Sequence, residues 1–396
     1  MDMTKRERIM CALSGGQPDR MPVAPDTSYM IPCKMTGKTF QDVLMRYDPP
    51  VWDAYLDVVD YYDFDGWYMY GAVQYLSNSQ CQTRYENYTD SEGGIHVTQI
   101  VDTPKGELRQ VTYFPTYDCQ TPTEKFIKNF KEDFPKIKYL YPEITGINAD
   151  TYSAQVKKLG DKGMMGIGIF PPGMSSFFYL FNGMDEMTFA YYDERDLFLE
   201  FCDMYEKDQL RKLELILDLK PDSVLTGGSG SITLSSPEIW DELALPAIKK
   251  ITKICKEAGI ITGIHSCGKE MHLVKRCAEE TDLNYVNPLE IAPMGDSDLR
   301  IAKRLYGDKL ALMGNIHTTD IMLYGTPKDV RRESLIAMLD AGVGGGFVLS
   351  TGDQPGRDTP EENLREMVGV CREFGQYPLN TDAIKDELLT LGVKYE

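Results

Sequence analysis

Residues 260–269 read Ile-Ile-Thr-Gly-Ile-His-Ser-Cys-Gly-Lys, which sets an imidazole and a thiol two positions apart behind an apolar, β-branched run. Such a run suits a buried strand. Side chains at i and i+2 of an extended segment point the same way, so His265 and Cys267 can reach one point beyond the strand end. A borderline-soft divalent ion such as Zn²⁺ favours that donor pair. A core thiol beside a hydrogen-bonded histidine is the plain alternative, and the pair alone leaves both open. Gly268 lets the backbone turn away at once.

The pair becomes a site only if other segments bring donors to the same place. Eight apolar strand candidates occur at 20–25, 64–69, 164–170, 222–226, 260–265, 283–287, 310–315 and 346–351, most of them followed by a helical pattern. Regular alternation of this kind predicts a (β/α)₈ TIM barrel, here one domain over residues 1–396, rather than an open doubly wound sheet. Residues 184–219 and 237–258 read as long helices, the second kinked at Pro246. The stretch from about 70 to 152 departs from the pattern. Within it, 95–101 and 108–114 read as strands joined by a Thr103-Pro-Lys-Gly106 turn, a hairpin-containing insertion after the second strand. Gly227–Gly230 lacks the spacing of a dinucleotide-binding fingerprint.

In such a barrel the active site lies at the C-terminal strand ends. Those ends carry Asp26, Tyr29, Tyr70, Ser229, Ser231, His265, Cys267, Asn287, Glu290, Asn315, His317, Asp353 and Gln354. His265, Cys267 and one carboxylate would leave a fourth coordination position open, the pattern of catalytic zinc. Asp353 is the favoured third ligand. Glu290 is its rival, and could instead orient His265 from behind. Both carboxylates are candidates for a catalytic part. Their ordinary readings are a helix cap for Glu290 and an anchor of the Arg357 loop for Asp353. Tyr29, Tyr70, Asn287, Asn315 and His317 are candidate substrate contacts, with helix capping the competing role for His317. Trp67, Phe177 and Phe178 could also line a pocket, although core packing is the commoner fate of such residues.

Composition narrows the partners. Lys plus Arg total 42 against 61 for Asp plus Glu, a net charge of −19, which argues against nucleic acid or an anionic membrane as the main partner. The nine cysteines are scattered without disulfide-framework spacing or a Cys-x-x-Cys pair. The polar start lacks a signal-peptide core, and there is no apolar run of about 18 residues. A cytoplasmic chain with reduced thiols is expected.

Several motifs, in order along most of the chain, carry a resemblance. They are Lys5-Arg-Glu-Arg-Ile-Met10 with Asp19-Arg-Met-Pro-Val23, Thr103-Pro-Lys-Gly106, Ser236-Pro-Glu-Ile-Trp240 with Leu245-Pro246, His265-x-Cys267-Gly268, Gly314-Asn315 and Arg357-Asp-Thr-Pro-Glu-Glu362. The sequence resembles the uroporphyrinogen decarboxylase superfamily, and within it the corrinoid-dependent methyltransferases rather than the decarboxylase. Two departures matter. The arginine-bearing stretch that faces substrate carboxylates in the decarboxylases is replaced by Pro22-Val-Ala-Pro-Asp-Thr-Ser-Tyr29, which holds no arginine. Thiol-methylating members carry a second Cys after the last strand, near where Asp353 stands here.

The resemblance implies a zinc-dependent methyltransferase working with a corrinoid (cobalamin) protein as partner and a small methylated substrate. A carboxylate in place of a thiolate leaves the metal harder and more electrophilic, which favours an oxygen- or nitrogen-bearing substrate, best an aryl methyl ether. The alternatives are a metal-independent decarboxylase or lyase, a methylcobamide:thiol methyltransferase, and a barrel that only binds.

Overall fold

The computed structural model describes residues 2–395. Seven parallel strands form one sheet in chain order: Gly66–Tyr68, Gly163–Gly168, Ser223–Thr226, Ile261–His265, Tyr285–Asn287, Ala311–Ile316 and Phe347–Thr351. Each is short and almost wholly buried, as strands covered on both faces must be.

The expected first strand at 20–25 is reduced to two isolated bridges, one parallel between Val23 and Leu349 and one antiparallel between Arg20 and Gln376. Proline explains the shortening, since Pro22 and Pro25 have no N–H to give a ladder. The segment nevertheless bonds to the outer strand Phe347–Thr351 and to Asp65, the residue just before the other outer strand. Ala24 N–H donates to Leu349 O, Leu349 N–H donates to Pro22 O, and Asp65 N–H donates to Val23 O.

Inside the sheet, small and large residues alternate across neighbouring strands. Gly263 pairs with Tyr285, and a Cβ on Gly263 would lie 2.0 Å from the tyrosine ring. Only glycine there admits the aromatic residue. The fully buried Tyr285 hydroxyl accepts from Trp67 Nε1–H at 3.3 Å and meets Ser223 Oγ at 3.3 Å. Trp67 is thus part of the core.

The helix Lys5–Leu13 closes one end of this interior with Ile9, Ala12 and Leu13, which pack with Met164, Met313 and Val348. It is clamped by charge. Asp65, with no exposed surface, accepts from Arg8 at 2.8 Å, from Arg20 at 3.1 Å and from Val23 N–H at 3.0 Å.

Between the first two strands lies a four-stranded antiparallel sheet: Gln82–Thr89, Ile95–Thr103, Gly106–Phe114 and Thr121–Glu124. The two strands read from sequence are its middle pair, joined as expected across Thr103 and Gly106. Val101 and Leu108 bury against Phe130, Phe134, Phe177, Phe198 and Phe201. The Phe177 and Phe201 rings stack at 4.2 Å, so Phe177 too is core. The helix expected over 184–219 is broken into Met184–Asp193 and Arg195–Leu217, and that over 237–258 into Pro237–Leu243 and Leu245–Glu257. The second break falls beside Pro246, which sits in the first turn of the second helix, where its missing N–H costs no intrahelical bond. Among the described residues no helix is long and apolar enough to cross a membrane.

Candidate metal centre

The strand Ile261–His265 delivers His265 at its C-terminal end, in register with Asn287 on the next strand. The backbone then runs through Cys267 to Gly268, whose φ of +89° is a left-handed turn. Four groups from outside hold this turn. Glu290 accepts the Gly268 N–H, Thr233 Oγ1 accepts the Lys269 N–H at 2.9 Å, Asp296 accepts the Glu270 N–H at 2.7 Å, and Gly230 N–H donates to Cys267 O at 3.2 Å.

Asp353 arrives from the far side, two residues after the strand Phe347–Thr351. One ligand atom each of His265, Cys267 and Asp353 lies within 4.8 Å of the others. His265 Nε2 is 3.0 Å from Cys267 Sγ, and the thiol donates to Ser229 Oγ at 3.3 Å. On the other side of the ring, Asn287 Nδ2 donates to His265 Nδ1 at 3.2 Å. The bonds therefore run in one direction, from amide to imidazole to thiol to hydroxyl.

The electrostatics ask for a cation. Burial, then the Asp353 charge, push the Cys267 thiol far above its ordinary range. Asp26, 3 % exposed, is raised by burial; His265 pulls it back while Asp353 pushes it up. Glu290 is raised by burial, against the pull of the Gly268 N–H, and by Asp353. A thiol and carboxylates crowd together around the imidazole, and the thiolate and carboxylate forms repel one another. A divalent ion removes that repulsion, and the donor set is one zinc accepts. The buried Asn287 Oδ1 has no partner. With the amide turned over, that atom would accept an Nδ1–H from His265 and leave the Nε2 lone pair for a metal. The residues present fit the ion.

The other expected residues sort by position. Glu290 holds backbone and is not among the three clustered donors. Tyr29 and Tyr70 pair at 5.5 Å between ring centres, and Ser28 Oγ bridges Asp26 to the Tyr70 hydroxyl. Burial pushes the Tyr29 phenol up to about 12, so it stays a hydrogen-bond donor. Gln354 Oε1 accepts the N–H groups of Tyr29 and Met30 at 2.8 and 2.9 Å, tying that lip to the Asp353 loop. Asn315 and His317 line a cavity of about 330 Å³ whose walls include none of the three clustered donors. His317 Nδ1 accepts the Thr319 and Asp320 N–H groups, so this residue caps the turn after its strand. Phe178 lies under the Lys125 ammonium at 3.6 Å from ring centre.

Two buried acids had no signal of their role. Asp26 reads in sequence only as one strand-end residue among several, yet its N–H donates to Thr351 Oγ1 at 3.1 Å and it faces the donor cluster. Glu270 reads as the first residue of a helix. Its carboxyl is fully buried, and desolvation holds it far above the ordinary range against the pull of backbone hydrogen bonds at Leu289 and Glu290.

Comparison with known proteins agrees with this architecture. The solved structure of a methyltransferase from Methanosarcina mazei superposes with a TM-score of 0.63 at 15 % identity, over 94 % of this chain and 99 % of that one. Among curated proteins, the methylcobamide:CoM methyltransferase MtbA of Methanosarcina mazei is 27 % identical over 146 residues, 37 % of this chain and 40 % of the relative. The uroporphyrinogen decarboxylase of Pseudoalteromonas translucida is 38 % identical over 73 residues, 18 % of this chain and 20 % of that one. The methylated-thiol–coenzyme M methyltransferase of Methanosarcina mazei is 26 % identical over 172 residues, 43 % of this chain and 42 % of the relative. The matches thus span at most about two-fifths of the length of these curated relatives. Residues 176–374, half of the chain, match the family described as "Uroporphyrinogen decarboxylase (URO-D)" and contain every donor discussed above except Asp26 and the Tyr29–Tyr70 lip. This chain belongs to the uroporphyrinogen decarboxylase (URO-D) family.

Proposed function

We propose that the protein transfers a methyl group between a small methylated substrate and a corrinoid protein, using zinc held by His265, Cys267 and Asp353. The observation that carries this reading is the convergence of those three donors within 4.8 Å at the ends of two parallel strands. The names of the relatives MtbA and the methylated-thiol methyltransferase support the reaction class. The fold is read as a closed (β/α)₈ barrel, with the Val23 segment as its eighth member and residues 70–152 inserted.

Zinc bound there supplies Lewis acidity toward the heteroatom that carries the methyl group. The chain's own residues do the rest. His265, Cys267 and Asp353 hold the donor set open on one side. Asn287 fixes the imidazole, and Glu290 fixes the turn that aims the thiol. Tyr29 and Tyr70 form an aromatic wall suited to a flat substrate. Asn315 and His317 border their own cavity, where they would meet substrate only at its far end. One thiolate rather than two keeps the site hard, and an aryl methyl ether suits it best because a phenolate leaves more readily than an alkoxide.

Purified protein is expected to retain about one zinc per chain after dialysis and to methylate a Co(I) corrinoid from an aryl methyl ether in a single turnover. Chelated protein should keep its helical circular dichroism, since the core lies below the mouth. Less than half a zinc, not restored by added Zn²⁺, would end the reading. The coenzyme M named in the relatives favours a second one, transfer to a thiol. Methylated corrinoid offered coenzyme M or a phenol, with product identified, separates the two.

A further inference from the structure

The strand Gln82–Thr89 is the outer edge of the antiparallel sheet, and all eight of its residues are exposed. It pairs residue for residue with Ile95–Thr103 from Gln82 opposite Asp102 to Thr89 opposite Ile95, with no bulge. It holds no proline, glycine or lysine. Among the described residues no strand covers its other side. A long, regular edge without proline, lysine or a bulge is a template for another strand, and the charges it does carry, Arg84 and Glu86, are of opposite sign. Tyr85 and Tyr88 stand 64 % and 59 % exposed on it.

We propose that this edge pairs antiparallel with the same edge of a second copy of the chain, about a two-fold axis at Tyr85. The charges choose the occupant and the register. In a two-fold antiparallel pair, only a residue can face its own copy at the axis, because facing residues must share one hydrogen-bonding state. An axis at Arg84 sets two arginines opposite each other, and an axis at Glu86 sets two glutamates opposite each other. An axis at Tyr85 sets Arg84 of each copy opposite Glu86 of the other, Thr83 opposite Asn87, and Tyr85 opposite Tyr85. Opposite charges and an aromatic pair directly across a ladder both stabilise it. Arg84 already reaches Glu107 at 2.7 Å on its own chain, which holds the guanidinium on that face of the sheet. The inference is independent of the methyl-transfer reading. A contact limited to one strand edge is small, so the dimer is concentration-dependent.

Sedimentation equilibrium of the full chain over about 1–200 µM at moderate salt reads this directly. The expected result is a reversible monomer–dimer equilibrium. Arg84→Glu and Glu86→Arg should each weaken it by roughly tenfold or more, and the double exchange should restore it to within about threefold. Monomer throughout, a dimer indifferent to both single reversals, or a double variant that stays monomeric would overturn the proposal. Covalent trapping gives a second readout that does not rest on charge. Tyr85→Cys should form an interchain disulfide with oxidised glutathione, because directly opposed Cα atoms fall within disulfide reach. Tyr88→Cys, which would face Gln82, should not. Equal crosslinking of the two variants would also reject the register.

Discussion

At the scale of single residues, Asp353 and Cys267 face each other across the donor cluster, and each decides what the other contributes. If the carboxylate is a donor, Asp353→Cys should still bind zinc, because a two-cysteine, one-histidine set suits the ion. The donors then give up more charge, and an ether oxygen held at the open position is polarised less. Methyl transfer from an aryl methyl ether should fall by about 10²-fold, roughly 3 kcal/mol of transition-state stabilisation. Asp353→Ala should lose both metal and activity. Full zinc occupancy in the alanine variant, measured beside the cysteine variant, would take Asp353 out of the site. His265 and Cys267 were legible because i and i+2 on a strand is a local relation, and Asp353 because strand ends converge in this fold. Asn287 and Asp26 were only half legible. What they touch depends on register between neighbouring strands, which no local pattern records.

At the scale of elements, the turn at Gly268 is built from without. A Cβ at this position would lie 2.1 Å from Thr233 Oγ1, and φ is +89°. Glu290 supplies the acceptor for the Gly268 N–H from another strand end. That makes the two candidate roles of Glu290 separable. As a backbone acceptor it should tolerate Glu290→Gln, which keeps a carbonyl oxygen, while Glu290→Ala strands a buried N–H and should weaken zinc binding by about tenfold. A glutamine variant that loses zinc as fully as the alanine variant, in a chelator competition, would make Glu290 a ligand instead. The elements that escaped the sequence share one physical cause. Gln82–Thr89 has polar side chains on both faces, so it shows no alternation and exists because Ile95–Thr103 pairs with it. The break at Glu194 has neither Pro nor Gly at the joint, and both Tyr191 and Arg195 reach Glu242 across it. Pairing and packing partners set these features. The buried parallel strands carry their own signal in apolar runs, and so were visible.

At the scale of the whole molecule, the charged clamp under the Lys5–Leu13 helix ties the start of the chain to the sheet. Burial would by itself raise Asp19, but the Arg8 guanidinium and the Arg20 and Met3 N–H groups outweigh it and hold the carboxyl at about 2. A folded value below the unfolded one means stability that is present above about pH 4 and lost as pH falls toward 2. The single group is worth about 2 kcal/mol. Asp65→Asn should cost more, about 3–5 kcal/mol, because two guanidinium groups lose the anion they were buried against. Urea unfolding of both forms from pH 7 to pH 2.5 checks the pair. An Asp65→Asn protein as stable as the parent at neutral pH would show that the clamp is ornamental.

The bridge at Val23 has a kinetic meaning. Three backbone hydrogen bonds join Pro22–Ala24 to Leu349 on one side and to Asp65 on the other. The Ala311–Ile316 strand, by contrast, is laddered to neighbours on both flanks. Local opening follows the weakest stitching, so the amides of Ala24, Leu349 and Asp65 should exchange with solvent deuterium as one group, well ahead of those in Ala311–Ile316. Uniform protection across both sets would mean that the prolines left no soft line. If the line is soft, its two lips are the Tyr29 segment and the Asp353–Gln354 loop, sewn together by Gln354. Breathing there would part the aromatic wall from the carboxylate donor while His265 and Cys267 stayed fixed on their strand. Entry of a bulky partner would then be timed by a seam that proline, not a hinge glycine, has loosened.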